Sequence, residues 1–250
     1  ELYMQIGKST RYALSLVQRA IEIRNRVGPD MGKVLMFHDV SGSSLEIGKG
    51  SISISAKNFR SLINVLPKAG FSVLPLERIW HEGSKYNCYI TFDDGFESVY
   101  REAYPVLVRQ ELPFALFITV GFIGRTGYLT REMLAEISKC PLCTIGAHTL
   151  SHPILRFESS QSAINEIVNS KVTLENMLSR KIDYFAYPYG SVYACSSRDV
   201  RIVKNCGYKG AFSTINSHIT SRDLRAPYFI PRMNITDYTV GRLVKNGRIG

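Results

Sequence analysis

From residue 33 onward, short apolar runs alternate with stretches whose apolar residues recur at helical spacing. No other feature of the chain restricts its fold as much. Val34 to Phe37, Phe71 to Leu76, Cys88 to Phe92, Ala115 to Val120, Thr144 to Gly146, Tyr184 to Tyr187 and Gly210 to Ser213 read as strands. Helical spacing links Phe59, Leu62, Ile63 and Leu66 within residues 56–69, with Ser55 as the cap. It recurs near residues 97–110, after Thr130 (Met133, Leu134, Ile137), and over residues 159–180, where Ile164, Ile167, Val168 and Leu174 are expected inward. A further helix ends at Gly207. Such alternation predicts a parallel α/β sheet. In that architecture, residues that follow the strands gather at one rim, where catalytic groups sit.

At 250 residues and 45% apolar content, the chain suffices for one large domain with a substantial core. No run of eighteen apolar residues occurs, so no membrane-spanning helix is expected. The first residues, Glu1-Leu2-Tyr3-Met4, do not read as a signal peptide. Residues 10–27 read as a helix, with Thr10 as cap, Leu14, Val17 and Ile21 on one face, and Arg11, Arg19, Arg24 and Arg26 making it basic. It is either a membrane-surface or partner helix, or, more simply, a helix packed on the domain with a solvated basic face. Gly28-Pro29-Asp30 ends it, dividing the chain into a basic helical segment (1–30) and a catalytic domain (31–250). The net charge of +10 suits an acidic glycan, an anionic membrane or nucleic acid, and does not choose among them. Five irregularly spaced cysteines read as reduced thiols, which favours the cytoplasm.

Chemistry-bearing residues follow the predicted strands: His38, Asp93 and Asp94, His148, and Tyr189. In Thr91-Phe92-Asp93-Asp94-Gly95 two adjacent carboxylates repel, and a divalent cation relieves that repulsion. His148 and His152 are four apart, so one helical turn would place both imidazoles on the same side, with Pro153 stopping it. One carboxylate and two imidazoles can hold a metal while the second carboxylate stays free as a base, the equipment for hydrolysis by an activated water. Cys140-Pro141-Leu142-Cys143 lies just before these histidines and superficially resembles a zinc finger. Only four residues separate the two pairs, whereas a folded finger needs about twelve. Gly7-Lys8-Ser9 is not a phosphate loop, because Leu2 stands where its first glycine belongs. Asn234-Ile235-Thr236 is a glycosylation triplet, relevant only in a secretory pathway.

Taken with Tyr187-Pro188-Tyr189-Gly190, the Asp-Asp and His-Thr-Leu-Ser-His-Pro motifs resemble, in order, those of the polysaccharide deacetylase family (carbohydrate esterase family four). The resemblance implies a distorted, incomplete (β/α) barrel of about seven strands. It implies metal ligation by Asp94, His148 and His152, with Asp93 as general base. It also implies an acetyl pocket walled by Pro188, Tyr189 and Gly190, the Tyr189 N–H helping to hold the oxyanion. Two departures stand out. Ala186 replaces the arginine that usually opens the third motif, and the C-terminal Leu-x-His is absent, His218 being a poor match. Both departures resemble the branch of poly-N-acetylglucosamine deacetylases. There a Phe/Tyr-His after the first strand supplies the general acid, a role that falls to His38 of Phe37-His38. Arg232 of Ile230-Pro231-Arg232 would replace the missing arginine in space.

The expected activity is therefore metal-dependent removal of N-acetyl groups from amino sugars of an N-acetylated glycan. Zinc is the expected metal, with cobalt, nickel or manganese as alternatives, and no nucleic-acid partner is expected. O-acetyl ester hydrolysis would use the same machinery. A non-catalytic carbohydrate-binding protein would have no reason to keep Asp93, Asp94, His148 and His152 together. From the unpaired cysteines the expected location is the cytoplasm, and the branch resemblance offers the cell envelope or secretion as the alternative.

Overall fold

Strands this continuously apolar need cover on both faces, and a parallel sheet wrapped by helices provides it. The computed structural model describes residues 30–41, 52–81 and 83–240. The helix expected over residues 10–27, and with it the division of the chain near residue 30, lies outside the described residues. The strands are β1 (Lys33–Phe37), β2 (Ser72–Val73), β3 (Asn87–Phe92), β4 (Phe114–Ile118), β5 (Cys143–Ala147), β6 (Tyr184–Ala186), β7 (Gly210–Phe212) and β8 (Met233–Asn234). The helices are α1 (Ala56–Val65), α2 (Tyr104–Arg109), α3 (Arg131–Ser138), α4 (Ser160–Leu178), α5 (Ser197–Asn205) and α6 (Ser221–Arg225). The sheet runs β7-β6-β5-β4-β3-β1-β8, its paired strands parallel, with β2 added beside the start of β3. It curls into an incomplete (β/α) barrel. The segment before β8 spans the interval between the sheet's ends: Ile230 bridges Phe212, and Met233–Asn234 then pairs with β1.

Alternate residues of the strands face opposite ways. One set, including Val34, Tyr89, Ala115, Phe117, Tyr184, Phe212 and Ile230, packs as a single buried cluster inside the curl. The other set, including Leu35, Phe37, Ile90, Phe92, Leu116 and Ile145, joins the helices in the larger core. Gly146 faces Phe117: a Cβ there would lie 2.5 Å from the Phe117 ring and 3.0 Å from the Tyr184 carbonyl. Helix starts follow local chemistry, with Ser55, Thr130 and Ser159 each capping a backbone N–H of the first turn.

Three expectations shift. The strand expected over residues 71–76 shrinks to Ser72–Val73, because Pro75 has no N–H for a ladder and instead opens a 3₁₀ turn at Leu76–Trp80. The helix near 97–110 begins as a π-helical stretch, Val99–Ala103, before becoming α2; Pro105 in its first turn removes one donor. On α4 the buried face runs Ala163, Ile167, Ser170 and Leu174, whereas Ile164 is exposed. A small alanine and a serine therefore take inward positions where spacing alone favoured the larger residue. The Ser170 hydroxyl is satisfied by donating to the Ile167 carbonyl at 2.9 Å.

Ile167→Ala should lower stability by about 2–4 kcal/mol, and Ile164→Ala by no more than about 0.5 kcal/mol. Urea denaturation midpoints of the two variants check this; equal losses would mean the α4 face is rotated from the one described.

Candidate active site

Register alone brings the candidate residues together. Phe37 is the neighbour of Phe92, so His38 and Asp93 leave adjacent strand ends, and the Asp93 N–H donates to the Phe37 carbonyl at 2.9 Å. Ile118 neighbours Ala147, and the His148 N–H donates to the Ile118 carbonyl at 2.9 Å. Ala186 neighbours Phe212, bringing Tyr187 to the same rim.

Backbone strain concentrates here. Among the described non-glycine residues with positive φ, Asp94 (71°), Thr149 (68°), His152 (63°) and Tyr189 (58°) all lie in the three motif loops. Left-handed backbone costs such residues about 1–2 kcal/mol each, so the surrounding contacts must hold it. The approach to His152 corrects the expectation of a helical turn. Residues 148–153 form no helix. Instead the chain reverses through two left-handed residues. The Thr149 hydroxyl accepts from the His152 N–H at 3.0 Å. Glu166 of α4 accepts from the Leu150 and Ser151 N–H groups at 2.8 and 2.9 Å and from the Ser151 hydroxyl at 2.7 Å. Sequence reasoning missed both Glu166 and Thr149. Glu166 sits on a helix among ordinary polar residues, so only its distance from the loop reveals it. The Tyr189 loop is held from β7's far side: Thr214 donates its hydroxyl to the Tyr189 carbonyl at 2.8 Å and its N–H to the Gly190 carbonyl at 2.9 Å. A Cβ on Gly190 would lie 2.6 Å from that Thr214 nitrogen.

Asp94, His148 and His152 converge, with one ligand atom of each lying within 4.8 Å of the others. Asp94 Oδ1 is 3.4 Å from His148 Nε2 and 3.3 Å from His152 Nε2. That oxygen is buried and has no hydrogen-bond partner among the described residues. His148 Nδ1 lies 2.8 Å from the Ala186 carbonyl, which can only accept. Nδ1 therefore donates to that carbonyl, which leaves Nε2 as the nitrogen facing Asp94; burial opposes a charge on His148, but Asp93 and Asp94 raise its pKa above the usual value. Burial and the neighbouring His148 push the His152 pKa down to about 4, so that imidazole is neutral and has a lone pair to offer. A buried carboxylate oxygen between two imidazole nitrogens is a donor set that fits a divalent cation, which would take the place of the proton on His148 Nε2. Cys140 and Cys143 belong to no such cluster among the described residues, and all five cysteines are free thiols.

Asp93 is fully buried and bound differently. Arg232, also fully buried, donates from Nη1 to Oδ1 at 2.7 Å and from Nη2 to Oδ2 at 2.6 Å. Its Nε donates to the Ser213 carbonyl at 2.9 Å, and its guanidinium lies 5.5 Å over Phe117. Burial alone would raise the Asp93 pKa, but the Arg232 charge and hydrogen bonds and nearby His148 hold it at about 2. His38 stands beside this pair. Burial lowers its pKa, while Asp93 and Asp94 pull it upward. Its Nδ1 is buried without a hydrogen-bond partner among the described residues. His218 lies elsewhere. Its neighbour Ile219 pairs with Met31 and Gly32, which precede β1, whereas His38 follows that strand. A five-residue strand separates the two ends by roughly 16 Å.

The sequence profile described as polysaccharide deacetylase matches residues 81–211, over half of the chain. The poly-beta-1,6-N-acetyl-D-glucosamine N-deacetylase of Staphylococcus aureus (strain N315) is 26% identical over 211 residues, 77% of this chain and 71% of that protein. The fold is that of the Streptococcus pyogenes deacetylase PplD, with a TM-score of 0.76, 21% identity, and coverage of 87% of this chain and 98% of that one. It is likewise that of IcaB from Ammonifex degensii, with a TM-score of 0.75, 24% identity, and coverage of 87% and 97%.

Glu166→Ala keeps all three candidate ligand side chains and removes the bonds that order the His152 loop. It should weaken divalent-cation affinity by roughly 10–100-fold. Competition against a fluorescent chelator measures this, and an unchanged affinity would show that the loop holds its shape without Glu166.

Proposed function

Because the chain belongs to the polysaccharide deacetylase family, we propose that it removes N-acetyl groups from amino sugars of a glycan, with a divalent cation held by Asp94, His148 and His152. The observation that carries this reading is the pair of adjacent carboxylates in different electrostatic states: Asp94 turned to two imidazoles, Asp93 locked to Arg232. Two imidazoles and one carboxylate suit zinc, with cobalt, nickel or manganese as alternatives. When bound, the cation would supply a water of lowered pKa and polarise the acetyl carbonyl.

The remaining chemistry belongs to side chains. Asp93 takes the proton from the attacking water. Arg232 occupies one lone pair on each Asp93 oxygen and leaves others able to accept. It also keeps the carboxylate ionised despite full burial. That pairing makes Asp93 a weak base, matched to a water already made acidic. The left-handed Tyr189 aims the Tyr187–Gly190 loop over the site, its ring 4.8 Å from that of His152, and its N–H serves the developing oxyanion. Pro188 and Gly190 shape the acetyl pocket. His38 protonates the leaving nitrogen, since an amine leaves poorly as an anion. The glycan of the Staphylococcus aureus relative, poly-N-acetylglucosamine, is the substrate class this reading favours.

Acetate release from N-acetylglucosamine oligomers, compared with acetylated xylan, tests the activity; turnover of the xylan alone would make the protein an O-acetyl esterase. Asp93→Asn should retain zinc by elemental analysis and lose turnover by at least roughly a hundredfold. Loss of zinc with rate restored in excess metal would reverse the roles of the two aspartates. His38→Ala should slow acetate release from an N-acetyl sugar by roughly a hundredfold, and hydrolysis of an activated aryl acetate far less, because a phenolate leaves unprotonated. Equal losses on both substrates would assign His38 to binding.

A further inference from the structure

One face of the rim is built of aromatic rings that the hydrolytic chemistry does not use. Phe96, just after β3, forms a bridge with Tyr128, and their rings stack at 4.9 Å. Tyr128 meets Phe122 at 4.7 Å, and Phe122 meets the His152 ring at 5.9 Å. The row is pre-formed by backbone bonds: Glu97 N–H to the Gly127 carbonyl and Leu129 N–H to the Gly95 carbonyl, each 2.9 Å. All three rings are part-exposed. A connected row of half-open ring faces, ending on a histidine that can bind metal, is more than a hydrophobic core needs.

A cation stands over this row. The Arg125 guanidinium carbon is 5.2 Å from the Phe122 centroid, and the residue is exposed. A guanidinium held over a ring in this way is restrained by the charge distribution of the ring. The nearby acid Glu97 is taken by Arg101, whose Nε donates to it at 2.6 Å. Asp94 is turned to the two imidazoles. Arg125 forms no ion pair among the described residues. An exposed guanidinium held at a ring and without an acid of its own is suited to a carboxylate or phosphate.

We propose that Phe96, Tyr128, Phe122 and Arg125 form a binding site for an acidic sugar unit next to the metal ligands. The pyranose ring lies against the aromatic faces, and Arg125 holds its carboxylate or phosphate ester. The inference rests on the glycan hydrolase reading above and narrows it: the preferred substrate carries negative charge on a sugar near the one deacetylated. The chain's net charge of +10 would favour the approach of such a glycan.

Equilibrium binding separates this proposal from the activity. In the metal-loaded Asp93→Asn background, titration calorimetry compares a neutral N-acetylglucosamine tetramer with a hyaluronan tetrasaccharide, and N-acetylglucosamine with its 6-phosphate. At least one acidic probe should bind about tenfold tighter than its neutral counterpart. Adding Arg125→Gln should remove that preference, bringing acidic and neutral probes to equal affinity. The probe pair that shows the preference identifies carboxylate or phosphate as the group held. Equal affinities within both pairs, absence of binding by all four, or a preference that survives Arg125→Gln would overturn the proposal. Failure of deacetylation on every amino sugar would sink the proposed activity and leave these binding results standing on their own.

Discussion

A carboxylate withdrawn from water cannot stay ionised without a partner, and Asp93 has one in Arg232. The pair is the interaction on which the rest of the rim depends. Arg232 lies in the segment that spans the interval between β7 and β1, so its two bonds to Asp93 tie that closing segment to the end of β3. Its third side of contact, the Ser213 carbonyl, fixes the turn after β7. Phe117 packs beneath the guanidinium, and Gly146 leaves the room Phe117 needs. Removing one member of such a buried pair typically costs on the order of 3–5 kcal/mol, because the other charge is left unpaired. Barrel closure and the charge of the candidate base are thus one problem with one solution.

The two neighbouring carboxylates are separated in role by what surrounds them. Asp93 continues the alternation of β3 and shares the interior with Thr91, whose hydroxyl donates to the Leu35 carbonyl at 2.9 Å. Asp94 breaks that alternation: its φ of 71° turns the side chain out of the strand pattern toward the histidines. Without that turn the second carboxylate would point into the apolar core under the helices. The strain at Asp94, Thr149, His152 and Tyr189 is the physical cost of bringing groups from separate loops to one point. Packed β-strands carry the loops, and Glu166 and Thr214 hold two of them.

Much of this was readable along the chain. Apolar runs ending in His38, Asp93-Asp94, His148 and Tyr187 define strands because buried parallel strands are apolar throughout, and parallel order puts their far ends on one rim. The cap at Ser55 and the helix opening at Thr130 followed from short polar side chains preceding periodic stretches, whereas Ser159, read as the first residue of its helix, is the cap before it. Element details were less legible. Pro75 and Pro105 act through donors they lack, and their effect on strand length and helix type depends on what pairs with the neighbouring residues. Ile164 illustrates a different limit: apolar spacing names two possible faces for α4, and only the sheet beneath it selects the one with Ala163 and Ser170.

Sequence by itself determined the α/β order, the candidate ligand types and their assembly at the strand ends, because these follow from polarity and period. The tertiary structure alone decided how they meet. It replaced a helical turn between His148 and His152 with a strained reversal held by Glu166. It turned His148 Nε2 toward Asp94 by engaging Nδ1 with the Ala186 carbonyl, and it carried Arg232 to Asp93 across 139 residues of chain. It placed His218 at the end of the barrel away from His38. Each of these depends on distance and direction between residues remote in sequence, and local chemistry along a chain carries no record of either.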